Sequence, residues 1–181
     1  MVPWEKFDSL GDHKIELWRK DGGGNNYEVE LRYNLKTRTG RVLLTNDLPD
    51  YLHTMDNNRL EFSQLNGAGL PEVVVRLGGF YGGATPEYAH EEEQEYFYVV
   101  DFDSAKIIWK GCYVSEAFQR SNVDDSLHGE YEVGYDYKLH VKNEELLIDS
   151  LRFLDDSLSS PPDHQPGRYR WVNGEFKRVE N

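Results

Sequence analysis

The stretch Gln64–Glu72, QLNGAGLPE, has the spacing of a cation-binding loop. Calcium takes roughly six to eight oxygen ligands at about 2.3–2.6 Å, so a loop that holds it must wrap its backbone tightly and concentrate acids. The pattern Asp-x-Asn-Gly-Asp-Gly-x-x-Asp does both, with glycines for the wrap and carboxylates at its first, fifth and ninth positions. Gln64 stands here at the first position, Asn66 at the third, Gly67 at the fourth, Ala68 at the fifth, Gly69 at the sixth and Glu72 at the ninth. The turn is kept, while Gln and Ala replace two carboxylates. Asn66 and Glu72 remain as candidate metal ligands and calcium as the candidate cofactor. A structural turn that uses no cofactor is the preferred expectation.

A second group of carboxylates lies downstream. Asp101 and Asp103 are two apart and share a face if that segment is a strand. His90–Glu95, HEEEQE, adds four acids, and no Lys or Arg occurs between Arg76 and Lys106. Such a cluster suits a metal, an acid/base pair or a cationic partner, and otherwise reads as a solvated acidic loop. Just before it, GGFYGGATPEY sets Phe80 and Tyr81 between two pairs of glycines. Aromatic anchors dominate interface energetics, so Phe80, Tyr81, Glu87, Tyr88, Glu91, Glu92 and Glu93 are the candidate partner-binding residues. The alternative is that both rings cap the core.

The remaining chemistry is sparse. The histidines at 13, 53, 90, 128, 140 and 164 never fall in a His-x-His or His-x-x-x-His pair, so a zinc site would need distant positions. The single cysteine, Cys112, forms no disulfide within the chain and reads as buried filler. No Gly-x-Ser-x-Gly, P-loop or dinucleotide fingerprint occurs. The expectation is a protein without catalytic residues.

The elements that position these groups read as strands. The chain has 181 residues and a net charge of −13, enough length for one domain with a real core. The charge argues against nucleic acid and anionic membranes and suits a cationic protein partner. No apolar stretch reaches membrane-spanning length, so membrane insertion is not expected. The first residues lack the basic start and apolar run of a signal peptide. A periplasmic or secreted location is expected if a leader was removed, and otherwise a cytoplasmic one. HKIELWRK and YEVELRYNL alternate as half-buried strands do, EYFYVVDFD with AKIIWKGCYV and GEYEVGYDYKLHV with ELLIDSLRFL read as hairpins, and Val73–Val75 reads as a strand buried on both faces. Turns are expected at DGGGNN, Thr39-Gly40, Asp103-Ser104, Lys142-Asn143 and Asn173-Gly174. The spacing of Leu48, Tyr51, Leu52 and Met55 suggests one or two helical turns. The glycines at 78, 79, 82 and 83 are expected to end the valine strand in a flexible loop, and Ser115–His128 to form another loop. ELLIDSLRFL is expected to be a strand rather than a helix. Trp18, Trp109 and Trp171, in IELW, KIIW and YRWVNG, hint at blade-like units.

LNGAGLPEVVVRLGG followed by YFYVVDFDSAKIIWKG resembles the FG-GAP/VCBS repeat of integrin-type β-propellers, over residues 60–111. The resemblance implies a blade with a calcium loop before a hydrophobic strand, and only Asn66 and Glu72 carry over as side-chain ligands. A whole propeller needs about four blades or more. The expected fold is therefore one all-β domain over residues 1–181, with mostly antiparallel short strands, either a partial or distorted propeller or a curved sandwich. The expected function is binding without catalysis: an inhibitor or immunity protein that blocks a cationic enzyme or toxin through its loops. The alternatives are a calcium- or carbohydrate-binding β module and a hydrolase using Asp101, Asp103 or Glu72.

Overall fold

A computed structural model describes residues 2–11, 14–23, 26–49, 59–67, 69–85, 88–121, 131–133, 135–142, 144–153 and 164–179. Every regular element among them is a strand, and the strands form three antiparallel sheets, none closed into a barrel. The first sheet is a meander of β1 (Glu5–Leu10), β2 (Ile15–Asp21), β3 (Asn26–Asn34) and β4 (Thr39–Pro49). The central sheet runs in order through β5 (Arg59–Ser63), β6 (Glu72–Thr85), β7 (Tyr88–Asp101), β8 (Lys106–Ser121) and β9 (Tyr131–Val133). The third holds β10 (Tyr135–Lys142), β11 (Glu145–Phe153), β12 (Gly167–Val172) and β13 (Glu175–Val179). The segment ELLIDSLRF is thus a strand, as its sequence suggests.

The valine run dictates the layering. Val73, Val74 and Val75 are all 0% exposed, which a strand achieves only when both of its faces are covered. Val73 and Val75 join Tyr98, Val100 and Phe102 in one core with Ile15, Leu17, Val29, Leu31, Val42 and Leu44 of the first sheet. Val74, on the other face, joins Phe97, Val99 and Trp109 in a second core with Leu139, Leu146, Ile148 and Tyr169 of the third. The central sheet is therefore the middle of three layers. Arg76 crosses the second interface: its Nη2 donates to the Leu139 carbonyl at 2.7 Å while its guanidinium lies 5.5 Å from the Phe97 ring. Trp109 fills the same seam. It stacks on His164 at 3.8 Å and meets Tyr169 and Phe176 edge-on.

Several turns fall where the sequence puts them. Asn173 and Gly174 have φ of +54° and +89° and join Val172 to Glu175, the positive-φ pair that a two-residue hairpin requires. Lys142 pairs with Glu145, and Asp101 with Lys106. The Thr39-Gly40 turn is displaced. The chain reverses at 35–38, where Leu35 and Arg38 exchange backbone hydrogen bonds, and Gly40 lies inside β4 opposite Tyr33. A Cβ on Gly40 would come within 2.5 Å of the Tyr33 hydroxyl, so this glycine admits a ring from the neighbouring strand rather than bending the chain. Leu48 lies on β4 and not on a helix, and residues 50–58 fall outside the described residues. Trp18, Trp109 and Trp171 fall one to a sheet, on the second, fourth and third strands respectively. They do not mark equivalent positions.

The third sheet carries a charge cluster on its solvent side. Glu145 accepts from Arg168 Nε and Nη2 at 2.9 Å each and from Arg170 Nε. These bonds, Arg168 first, hold the Glu145 carboxyl down at about 2.

Double burial predicts an asymmetric response to truncation. Val74→Ala should cost about 2–3 kcal/mol, from lost transfer energy plus a cavity that two rigid layers cannot close. Val172→Ala, at a position 40% exposed, should cost under about 0.5 kcal/mol. Urea unfolding of the two variants checks this, and equal losses would contradict the three-layer arrangement.

Candidate functional site

Two regions hold the residues that the sequence marks for chemistry, and both are built on β6 and β7. At one end of these strands lies the Gln64–Gly69 loop. Glu72 opens β6 and is 0% exposed. Its Oε2 accepts from Leu65 N at 2.6 Å and from Asn66 N at 3.4 Å. Burial pushes the Glu72 carboxyl above its usual range, against the lowering pull of the Leu65 donor and, more weakly, with the help of Asp101. Its Oε1 is buried with no hydrogen-bond partner among the described residues. Asn66 lies on the loop itself and accepts from Gln64 Nε2 at 3.3 Å.

Asp101 and Asp103 come to the same end. Asp101 closes β7, and its two carboxylate oxygens accept from Asp103 N at 3.0 Å and Ser104 N at 3.1 Å, capping the turn into β8. Asp103 is in the turn, so the two acids do not share a strand face. Its Oδ2 accepts from Leu70 N at 3.0 Å and ties the turn to the loop before β6. Gly69 makes this possible. It has φ +78°, and a Cβ there would sit 1.8 Å from Asp103 Oδ2. Arg38 reaches across from the first sheet. It donates to the carbonyls of Phe102 and Asp103 and pairs with Asp103 Oδ1 at 3.3 Å.

The acids at this end therefore serve as acceptors for backbone N–H groups and for one guanidinium. The arrangement can fix three reversals of chain against one another. No group of three or more His, Cys, Asp or Glu side chains suited to a metal ion occurs among the described residues.

The second region overturns the expected loop at Gly78–Glu95. β6 continues to Thr85 and pairs with β7 without a register break, from Val73↔Val100 to Thr85↔Tyr88. The glycine-based expectation failed because glycine weakens a strand without forbidding it, and here every residue has a cross-strand partner. The rows are Phe80↔Glu93, Tyr81↔Glu92 and Gly82↔Glu91. By alternation, Phe80, Glu91 and Glu93 belong to one face of the ladder and Tyr81, Glu92 and Tyr88 to the other. On the far side β7 pairs with β8, which runs to Ser121 through the first half of the expected Ser115–His128 loop. Glu87 and residues 122–130 lie outside the described residues. Leu77 is the last core residue of β6 among those whose burial is described. The strand runs eight residues beyond it, about 26 Å at roughly 3.3 Å per residue.

Of the other residues weighed for chemistry, His13, His53 and His128 lie outside the described residues. Cys112 is opposite Tyr96 in the ladder. His140 pairs with Asp149 at 3.5 Å on the surface, and His164 Nε2 lies 2.9 Å from the Lys110 carbonyl. The cationic surface that the sequence did not reveal is on the first sheet, where Lys14, Arg32 and Arg41 line a groove. No family model matches this chain, and neither does any curated protein or any solved structure.

The raised Glu72 carboxyl has a signed consequence for stability. A group whose folded pKa lies above its unfolded value contributes stability below the unfolded pKa and loses it as pH rises through the folded one. Glu72→Gln keeps a neutral acceptor at this position and removes that loss. The variant should gain on the parent protein as pH rises from about 4 to about 8. Melting temperatures of both proteins across that range check it, and a constant difference would contradict a raised pKa.

Proposed function

We propose that this chain is a non-catalytic binding protein, and that the β6–β7 ladder beyond Leu77 engages a cationic protein partner. The observation that carries the reading is the unbroken register from the buried valines to Thr85↔Tyr88, which sets Phe80, Tyr81, Tyr88 and Glu91–Glu93 on one rigid base. A recognition element of paired strands loses less conformational entropy on binding than a mobile loop would. Its rows combine aromatic types with acids, the types that anchor an interface and steer a basic partner. An inhibitor or immunity protein acting on a basic enzyme or toxin is the most concrete form of this reading. The capping duties of Glu72, Asp101 and Asp103 weigh against a hydrolase built on those carboxylates.

The test is capture from lysates of the source cells and of their competitors, with the Glu91→Lys/Glu93→Lys variant beside the parent protein. The parent protein should recover a basic protein. The variant should associate about tenfold more slowly with it at low salt, with the gap narrowing as salt is added. Equal association rates for the two chains would overturn the reading.

A calcium-binding β module is the second reading, and one observation favours it: the buried Glu72 Oε1 beside Asn66, without a hydrogen-bond partner among the described residues. An ion there would draw on Asn66 and Glu72. Millimolar calcium should then raise the melting temperature, and magnesium should do so less. No rise with calcium would remove this reading and leave Glu72 as a cap.

A further inference from the structure

The outer face of the first sheet reverses the sign of the molecule. The chain carries −13 overall, yet residues 14–41 hold seven Lys and Arg against four Asp and Glu. Strand register gathers these cations. Glu16, Arg32 and Arg41 form one cross-strand row, on the face opposite the buried Ile15, Leu17, Leu31 and Val42. Beside that row a groove of about 360 Å³ opens, lined by Lys14, Glu16, Arg32, Asn34, Thr39 and Arg41 together with Tyr33 and Gly40. That volume lies in the range of small-ligand sites.

The charges in the groove are not equivalent. The acids of this face, Glu16, Glu28 and Glu30, are all engaged, Glu28 by Lys20 at 2.9 Å. Glu16 accepts from Trp18 Nε1 at 2.9 Å and pairs with Lys6 at 3.5 Å. Glu30, 6% exposed, accepts from Arg32 Nε at 2.6 Å. The Arg32 guanidinium is further held by the rings of Trp18, at 4.2 Å, and Trp4, at 5.4 Å. This bond and these rings fix its plane. Its Nη1 and Nη2 make no hydrogen bond among the described residues, and neither does the Lys14 ammonium. Arg41 is 76% exposed and reaches Glu30 only at 3.8 Å. A guanidinium held in place with two terminal nitrogens to spare, flanked by two further cations, is the donor set for an oxyanion.

We propose that this groove binds a small molecule bearing a carboxylate or phosphate group. Arg32 takes the oxyanion through its terminal nitrogens, and Lys14 and Arg41 supply the flanking charge. The site goes beyond the β6–β7 reading and is separable from it. The groove adjoins the 35–38 turn, whose Arg38 touches Asp103 at the Val73↔Val100 end of the central strands. The ladder tip at Thr85↔Tyr88 is twelve residues away along β6, about 40 Å.

The test follows backbone amide resonances of the uniformly labelled chain during titration with sodium citrate and with sodium phosphate. Each is set against sodium chloride of matched ionic strength. Saturable shifts are expected at residues 14, 32, 34, 39 and 41 with at least one of the two, with a dissociation constant of about 1 mM or tighter. Which titrant saturates distinguishes a carboxylate ligand from a phosphate one. The Lys14→Met/Arg41→Met variant, with both changes at solvent-exposed positions, should keep its melting temperature and weaken binding about tenfold. Shifts that match those with chloride, that map elsewhere, or that persist unchanged in the double variant overturn the proposal. So does saturation by a glutamate-rich peptide with neither small anion.

Discussion

Three consecutive valines without solvent contact require a layer of protein on each side of their strand, and the rest of the architecture follows from that. A sheet has two faces, so Val73 and Val75 must meet one partner and Val74 another. The first sheet answers with Ile15, Leu17, Val29 and Leu31, and the third with Leu139, Leu146 and Ile148. Each outer sheet then needs only one apolar face. That is why a chain with 38% hydrophobic residues can build three layers. The apolar residues are spent on two interfaces, and charged residues cover the two outer faces.

The same layering decides what the acids do. Loops that enter and leave a doubly covered sheet have backbone N–H groups at its end with little water to satisfy them, and each buried unmet donor costs about 1–3 kcal/mol. Glu72, Asp101 and Asp103 meet that demand with carboxylates that accept from Leu65, Asn66, Leu70, Asp103 and Ser104. Arg38 adds a cation from the first sheet, so a single knot of hydrogen bonds fixes three reversals and the angle between two layers. Glu145 shows another solution. It faces solvent-side arginines instead of backbone donors, which hold its carboxyl down at about 2, whereas burial pushes Glu72 up.

How much of this was legible depended on the range of each signal. The valine run announced a buried strand, and Asn173-Gly174 announced a hairpin, because both signals are local. All-β character was also plain, and thirteen strands form among the described residues. The glycines at 78–83 misled because a local weakness was weighed without the strand that pairs with it. The acids near residue 101 were recognised as a group, but their role depends on Leu70, 33 positions away from Asp103, and on Arg38, 65 away. Trp109 and His164 are stacked although 55 positions separate them, through a sheet stacking that no short motif encodes. The groove on the first sheet was hidden differently. Lys14, Arg32 and Arg41 are 18 and 9 positions apart with no motif to join them, and a net charge of −13 concealed them.

A chain that is acidic overall can still carry a cationic surface, because fields in salt solution are short. At physiological ionic strength exposed charges are screened over about 8 Å. The acids of β7 around Glu91–Glu93 stand near the far end of strands roughly 40 Å long, several screening lengths from Arg32. What governs the groove is its own row. Glu16 and Glu30 are engaged by Trp18, Lys6 and Arg32, whereas Lys14 and the terminal nitrogens of Arg32 make no side-chain hydrogen bond among the described residues. The net charge therefore describes how the whole molecule meets a distant partner, while local pairing decides what each surface holds once contact is made.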